Sequence, residues 1–241
     1  MDILNTDARA QSAALGNGDL SSLELMDATL ARIETVNGDV NAIVSLRDGD
    51  ELREEAIAAD AATRSGWLHG MPIAIKDLAN AKGLPTSMGS PMFAGQVAQA
   101  DDLMVARLRA AGAIIIGKTN TPEFGLGSHT FNPVHGATRN PYDLGKSSGG
   151  SSGGAAAALA TGMLSVADGS DMMGSLRNPA GWNNVYGMRP TWGLVPSEPL
   201  GDTFGQQLAT NGPMARSPRD LALLLGVQSG PDPRQPHGRA A

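Results

Sequence analysis

The chain contains no cysteine and little charge. Asp, Glu, Lys and Arg make up 17% of its 241 residues, against roughly 25% in an ordinary soluble domain. The lack of cysteine excludes a disulfide scaffold, a thiol nucleophile, a thiolate zinc site and an iron–sulfur cluster. A net charge of −6 argues against nucleic-acid binding, because that function needs a basic patch. The chain is instead rich in alanine, serine and glycine, with 31 glycine residues.

Long apolar runs are also missing. No segment approaches the roughly 18 apolar residues of a membrane helix. The first ten residues, MDILNTDARA, lack the basic and apolar regions of a secretory signal. We therefore expect a cytoplasmic protein that binds neither a membrane nor nucleic acid.

Helical and strand patterns alternate along the chain, which predicts an α/β fold. A capping box at Ser21 and Glu24 begins an amphipathic helix that Asn37-Gly38 is expected to end. The remaining predicted helices cover residues 50–65, 101–111 and 153–162, and the predicted strands cover residues 40–46, 71–76, 113–117 and 164–167. Residues 125–152 are predicted as one long glycine- and serine-rich loop.

The length fits one domain, which we place at residues 1–228. Residues 229–241 are rich in proline and show no apolar periodicity, so a disordered tail is expected there.

Several familiar sites can be set aside. Residues 140–147 (NPYDLGKS) end like a phosphate-binding loop but lack its opening glycine and preceding strand. His69, His129 and His135 show no metal-ligand spacing, so no metal site is expected.

Residues 149–153 (GGSSG) match the G-x-S-x-G pattern of a nucleophilic serine. A Ser-His-Asp hydrolase would need a later histidine, and only His237, in the predicted tail, follows. Serine can instead be activated by a neutral lysine. Lys76 ends an apolar strand, where desolvation could supply the roughly 4 kcal/mol needed to bring its pKa from about 10.4 to 7–8.

Lys82, Lys118 and Lys146 are less distinctive as bases. On the residues alone, an ordinary strand-end lysine is the favoured interpretation of Lys76. A second glycine–serine cluster, residues 168–180, follows a strand and could direct successive N–H groups toward an oxyanion. The alternative for this cluster is a tight glycine turn between two elements.

These segments together resemble the amidase signature family of serine hydrolases. The resemblance runs from about residue 19 to residue 233. Its most specific parts are residues 149–157, 169–180 and 187–191, supported by residues 70–77 and 110–120.

The resemblance implies a mixed β-sheet core flanked by helices and a Ser–cis-Ser–Lys triad. Ser175 would be the nucleophile, and Ser151, preceded by a cis peptide bond, would relay its proton to Lys76. The residues implied to support the cis turn are Gly149, Gly150, Ser152 and Gly153. The backbone N–H groups implied to form the oxyanion hole are those of Met172, Met173, Gly174 and Ser175.

The implied activity is hydrolysis of a carboxylic amide through an acyl-enzyme, with no metal or cofactor. The expected partners are a small-molecule amide substrate and, in a homodimer, a second copy of the chain. Two alternatives remain open: a catalytically impaired amidase-like fragment or binding subunit, and a subunit of a glutamine amidotransferase.

Two departures from the family pattern stand out. Met172 and Met173 occupy positions where a threonine and a glycine are usual, and Asn183-Asn184 replaces part of an apolar–cysteine–glycine run. The chain is also about half the usual family length, so we expect an incomplete fold, truncated in its C-terminal half.

Overall fold

Two three-stranded sheets and seven helices organise the fold in a computed structural model of the chain, which describes residues 3–198, 204–205 and 207–239. The helices in this described part are α1 (Ala8–Asn17), α2 (Ser22–Val40), α3 (Gly49–Ala61), α4 (Leu103–Ala110), α5 (Gly153–Ala160), α6 (Arg177–Trp182) and α7 (Pro218–Gln228). The strands are β1 (Ile43–Val44), β2 (Pro72–Lys76), β3 (Ile114–Thr119), β4 (Phe131–Asn132), β5 (Gly136–Ala137), β6 (Arg139–Asn140), β7 (Asp143–Ser147), β8 (Val166–Asp171), β9 (Tyr186–Gly187) and β10 (Thr210–Ala215).

The first sheet is mixed and has the order β1-β3-β2. Its strand β3 pairs parallel to β2 and antiparallel to β1. The second sheet, in the order β8-β10-β9, is antiparallel throughout. The end of β2 lies against β8, so the two sheets meet there. The mixed α/β class predicted from the sequence is confirmed.

Helix α5 packs in the middle of the fold, because its residues are small enough to approach both sheets. Every residue from Gly153 to Leu159 is buried. A Cβ on Gly154 would collide with the backbone of Asn120 and with the Ala42 carbonyl oxygen. The alanine- and glycine-rich composition of this segment therefore allows close packing of α5 on β1 and β3.

The predicted end of α2 is wrong by three residues. The capping box forms as expected, with Glu24 N–H donating to Ser21 Oγ at 3.0 Å. The helix continues through Asn37-Gly38 to Val40, and its C-cap residue Asn41 adopts a left-handed conformation with φ 52°. Val40 is buried and extends the apolar face past Gly38, so packing outweighs the glycine.

The glycine-rich region also has more regular structure than predicted. The hairpins β4-β5 and β6-β7 lie inside the predicted loop of residues 125–152. Strand β8 runs to Asp171, past the predicted end at residue 167, because β10 pairs with it over its whole length. The predicted N–H cluster at residues 168–180 is therefore strand up to Asp171, turn over residues 172–176 and helix from Arg177.

The end of the chain differs from the predicted disorder over its described part. No helix or strand follows Gln228 through residue 239, but this segment is held by hydrogen bonds. The Arg107 guanidinium donates to carbonyl oxygens of residues 228–231, and Arg239 N–H donates to the Gly193 carbonyl at 2.9 Å. Residues 240–241 lie outside the described part, and the domain boundary at residue 228 stays a prediction.

The path of α2 predicts opposite effects for two glycine substitutions. Neither Gly38 nor Gly18 has an atom within 4 Å of an added Cβ, but Gly18 has φ +77°. We expect Gly38→Ala to raise the free energy of unfolding by about 0.5–1 kcal/mol, because a helical glycine is less favourable than alanine. We expect Gly18→Ala to lower it by about 1–2 kcal/mol, through left-handed strain. Urea denaturation measures both, and destabilisation by Gly38→Ala would mean that α2 stops at Asn37-Gly38.

Candidate active site

Lys76 occupies the C-terminal end of β2, a strand in which all five residues are buried. The side chain of Lys76 is itself buried, with 1% relative exposure. Residues i and i+2 of a strand share a face, so Lys76 lies on the same face as Ala74. Ala74 packs in the same cluster as the alanines of α5. This register directs the Lys76 ammonium toward the residues that precede α5.

Three serine hydroxyls surround the Lys76 Nζ. It lies 2.8 Å from Ser151 Oγ, 2.9 Å from Ser152 Oγ and 3.0 Å from Ser170 Oγ. Ser151 and Ser152 are predicted site residues, whereas the contact of Ser170 with the lysine is not predicted. Alternation along β8 is the signal that could have found it, since Asp168 and Ser170 share a face and both contact Lys76.

Burial lowers the pKa of Lys76 to about 7, because desolvation penalises the ammonium; the charges of Asp168 and Asp171 act in the opposite direction. The neutral amine has two N–H donors and one lone pair, so it accepts one hydroxyl proton. Ser152 directs its hydroxyl toward the Ser170 carbonyl oxygen at 3.5 Å. Ser151, whose Oγ is nearest at 2.8 Å, is one of the hydroxyls that can donate to the neutral amine.

The turn that carries Ser151 is fixed by neighbouring hydrogen bonds. The Gly150–Ser151 peptide bond is cis, as the resemblance implies. The Thr130 hydroxyl donates to the Gly149 carbonyl at 2.8 Å and accepts from Gly153 N–H at 3.1 Å. Both ends of the turn are thus tied to one side chain, which orients Ser151 toward Lys76.

Ser175 lies in the turn between β8 and α6 and is partly buried. It lines a cavity of about 120 Å³ together with Gly125, Gly150, Met172 and Met173. A Cβ on Gly125 would lie 3.7 Å from Ser151 Oγ, so the Ser151 hydroxyl is close to this cavity. Ser152 N–H donates to the Ser175 carbonyl oxygen at 3.2 Å, which joins the two serine turns. The described residues give the Ser175 hydroxyl no hydrogen bond, so its link to Ser151 stays a prediction.

Asp171 organises the turn around Ser175, a role that sequence reasoning missed. Its carboxylate accepts hydrogen bonds from Gly174 N–H at 2.7 Å, Leu176 N–H at 3.1 Å and the Arg177 guanidinium at 3.0 Å. Burial alone would raise the pKa of Asp171, but these hydrogen bonds and the Arg177 charge outweigh burial and lower it. An ionised Asp171 therefore holds the backbone of the turn in place.

This arrangement alters the predicted oxyanion hole. The Gly174 N–H donates to Asp171, so it is not available to a substrate oxygen in this structure. The N–H groups of Met172, Met173 and Ser175 make no hydrogen bond within the described residues and stay candidate donors. The Met172 and Met173 side chains are 44% and 80% exposed at the cavity.

Asn183 and Asn184 have a structural explanation. Asn183 is buried, and its amide donates to the carbonyl oxygens of Ser148 and Pro179, both at 2.7 Å. It ties the end of α6 to the segment before the cis turn. Asn184 adopts φ 53°, a left-handed conformation that asparagine tolerates better than most residues.

No described histidine side chain hydrogen-bonds to Ser151, Ser152 or Ser175, although the His129 backbone lies next to Gly150. His237 packs against Trp192 and Phe204, with ring centroids 4.9 and 5.7 Å away. His69 contacts Ser65 and the Ala59 carbonyl, and His135 contacts Ser87. His129 contacts Ser147 at 3.0 Å. The rejection of a Ser-His-Asp site from the sequence agrees with these positions.

Comparison with known proteins identifies the family of the chain. The family model described as Amidase matches residues 24–240. The chain belongs to the amidase signature family. The chain is 41% identical over 235 residues to an acylamidase of Rhodococcus erythropolis, a match that covers 95% of this chain and 48% of the relative.

One further relative and one solved structure also resemble the chain over most of its length. A glutamyl-tRNA(Gln) amidotransferase subunit from Roseiflexus sp. is 43% identical over 223 residues, covering 91% of this chain and 45% of the relative. The solved structure of a bacterial aryl acylamidase superposes with a TM-score of 0.92 at 33% identity, covering 98% of this chain and 50% of that one. The chain thus spans about half the length of the relatives it matches. No helix in the described part is long and apolar enough to cross a membrane.

The depressed pKa of Lys76 predicts how stability depends on pH. Between pH 7 and the ordinary lysine value of 10.5, the unfolded chain binds a proton that the folded chain does not. The free energy of unfolding should therefore rise with pH across this window. Burial also lowers the pKa of Lys118, which adds to the rise in the same direction. Only the difference between wild type and Lys76→Met isolates Lys76.

We expect Lys76→Met to reduce the slope of the free energy of unfolding against pH. The reduction should reach at most about 1.4 kcal/mol per pH unit, which corresponds to the uptake of one proton on unfolding. Urea denaturation of both proteins at intervals between pH 7.5 and 9.5 measures the slopes. Parallel stability curves would show that Lys76 keeps an ordinary pKa.

Proposed function

We propose that this chain carries the catalytic triad of an amidase that hydrolyses a carboxylic amide C–N bond, with Lys76 as base, Ser151 as relay and Ser175 as nucleophile. The observation that carries the proposal is the 2.8 Å contact of a buried, near-neutral Lys76 amine with Ser151 Oγ, beside the cavity that holds Ser175. The family membership supports the reaction class.

The reaction begins with two coupled proton transfers. Ser151 gives its hydroxyl proton to the neutral Lys76 amine and takes the proton of Ser175, whose Oγ attacks the amide carbonyl carbon. The resulting oxyanion accepts hydrogen bonds from backbone N–H groups, for which Met172, Met173 and Ser175 are the remaining donors. Each such donor typically contributes about 2.7–4 kcal/mol to the transition state.

Collapse of the tetrahedral intermediate breaks the C–N bond. The Lys76 ammonium returns its proton through Ser151 to the departing nitrogen, which leaves as ammonia or an amine. Water then attacks the ester of Ser175, giving its proton to the same relay. The acid is released, and Ser175 and neutral Lys76 are restored.

The acyl group of the substrate is expected to be small or aryl and uncharged. None of the described residues that line the Ser175 cavity is charged, and the exposed Met172 and Met173 side chains give it apolar walls. Acylamidases are among the relatives, which supports this substrate class.

A second candidate function is that of a glutamine amidotransferase subunit, favoured by the 43% identical Roseiflexus relative. It predicts glutaminase activity that depends on partner subunits.

A third candidate is a catalytically silent fragment that binds a partner. The exposed side chains of Leu126, Met173 and Trp182 would form its contact surface. Binding of an apolar dye without any turnover would favour this third candidate. A cytoplasmic location and a homodimer stay predictions.

The nucleophile is tested by Ser175→Ala. We expect loss of acyl-amide turnover and of fluorophosphonate labelling, because the attacking oxygen is gone. Ser229→Ala, whose hydroxyl makes only a 3.5 Å contact at the end of α7, is the matched control and should label as wild type. Unchanged labelling of Ser175→Ala would refute the assignment.

The base is tested by Lys76→Ala. Since a positioned general base contributes about 10²–10⁴-fold, the rate of Ser175 acylation should fall by several orders of magnitude. Lys146→Ala removes an exposed lysine of β7 and should leave the rate unchanged. A near-wild-type rate in Lys76→Ala, measured by stopped-flow labelling, would rule out this base.

A further inference from the structure

A buried carboxylate that the proposed reaction does not use lies beside the base. Asp168 has 1% relative exposure, and its Oδ1 accepts the Lys76 backbone N–H at 2.9 Å. Strands β2 and β8 belong to different sheets, so this hydrogen bond takes the place of a ladder contact where they meet. Asp168 thus fixes the point from which the Lys76 side chain extends.

Asp168 and Lys76 also share a cavity that is separate from the one at Ser175. This cavity has a volume of about 460 Å³ and is lined by both residues and by Ser170, Asn211 and Glu198, among others. Among the described residues, none lines both this cavity and the Ser175 cavity. Asp168 therefore lies outside the lining of the cavity that holds Ser175.

Charge gives Asp168 a second effect on the base. In an environment with little water, a nearby negative charge stabilises an ammonium strongly. The charged groups that act on Asp168 and Lys76 come from several elements. Lys118 on β3 attracts Asp168, Asp171 on β8 attracts Lys76, and Asp77 and Asp102 act on Lys118. Glu198 lines the same cavity but is not among the charges that act on Lys76 or Asp168.

We propose that Asp168 is a positioning residue for Lys76, whose carboxylate holds the end of β2 and stabilises the positive charge that Lys76 gains when it accepts the Ser151 proton. This inference rests on the proposed function of Lys76 as base. Asp168 would serve the lysine as a buried carboxylate serves a catalytic histidine, by orienting it and stabilising its protonated form.

The direct test is Asp168→Asn, which keeps an oxygen acceptor for the Lys76 N–H and removes the charge. Without that charge Lys76 should become a weaker base. The acid limb of the pH profile for Ser175 labelling should then move to lower pH. The labelling rate at the alkaline plateau of the profile should also fall. The decrease should be smaller than the ~10²–10⁴-fold loss expected when a general base is removed. Glu198→Gln makes the same charge change in the same cavity and should leave the profile unchanged.

A profile of Asp168→Asn that matches wild type in both midpoint and plateau would overturn the proposal. If Asp168 had only a structural role, Asp168→Asn would lower the labelling rate and leave the midpoint of the pH profile unchanged. That result would overturn the proposed stabilisation of the Lys76 charge. One pH titration of labelling distinguishes the two results.

A second measurement does not depend on activity or on folding of the Asp168 variant. Carbon-13 NMR titration of the Asp168 carboxyl in wild type and in Lys76→Met measures the electrostatic interaction between Asp168 and Lys76 through the pKa of Asp168. Since the Lys76 ammonium favours the ionised carboxylate, the pKa of Asp168 should rise in Lys76→Met. An unchanged pKa would refute the coupling. If the wild type does not label at all, the proposed reaction fails, and this titration still decides the role of Asp168.

Discussion

The whole site depends on the burial of one amine. Lys76 is placed on a fully buried strand, and desolvation brings its pKa to about 7. At 1.36 kcal/mol per pKa unit, this shift corresponds to roughly 5 kcal/mol against the ammonium. Three serine hydroxyls within 3.0 Å satisfy the amine without neutralising the effect of burial. A base that is neutral near physiological pH is therefore a consequence of where β2 ends.

The surrounding fold keeps this amine in contact with two serine turns. Helix α5 is built from glycine and alanine, so it packs closely enough to bring Ser151 and Ser152 to the lysine. Thr130 holds the first turn, and Asp171 holds the second. The cavity at Ser175 lies between glycines and exposed methionines. Small residues thus allow both the close packing around the base and the space beside the nucleophile.

The roles of Lys76, Ser151 and Ser175 could be predicted because the family motifs imply them; the absence of cysteine and of a usable histidine only left serine with lysine as a candidate chemistry. The contributions of Asp168, Ser170 and Asp171 were not predicted, although alternation along β8 indicates that Asp168 and Ser170 share a face. The first two depend on β8 lying against β2, a contact between residues more than 90 positions apart. The end of α2 was misplaced for a related reason: Gly38 suggests a stop locally, whereas burial of Val40 favours continuation. Local patterns predict where elements lie, and long-range packing decides where they end.

The most direct measurement of the central claim is the pKa of the Lys76 amine itself. It can be followed by carbon-13 NMR at Cε in the wild-type chain, assigned by comparison with Lys76→Met. We predict a midpoint near pH 7, well below the ~10.4 of an unperturbed lysine. A midpoint near the unperturbed value would contradict this claim, because Lys76 would then be an ammonium at neutral pH and could not accept a proton from Ser151.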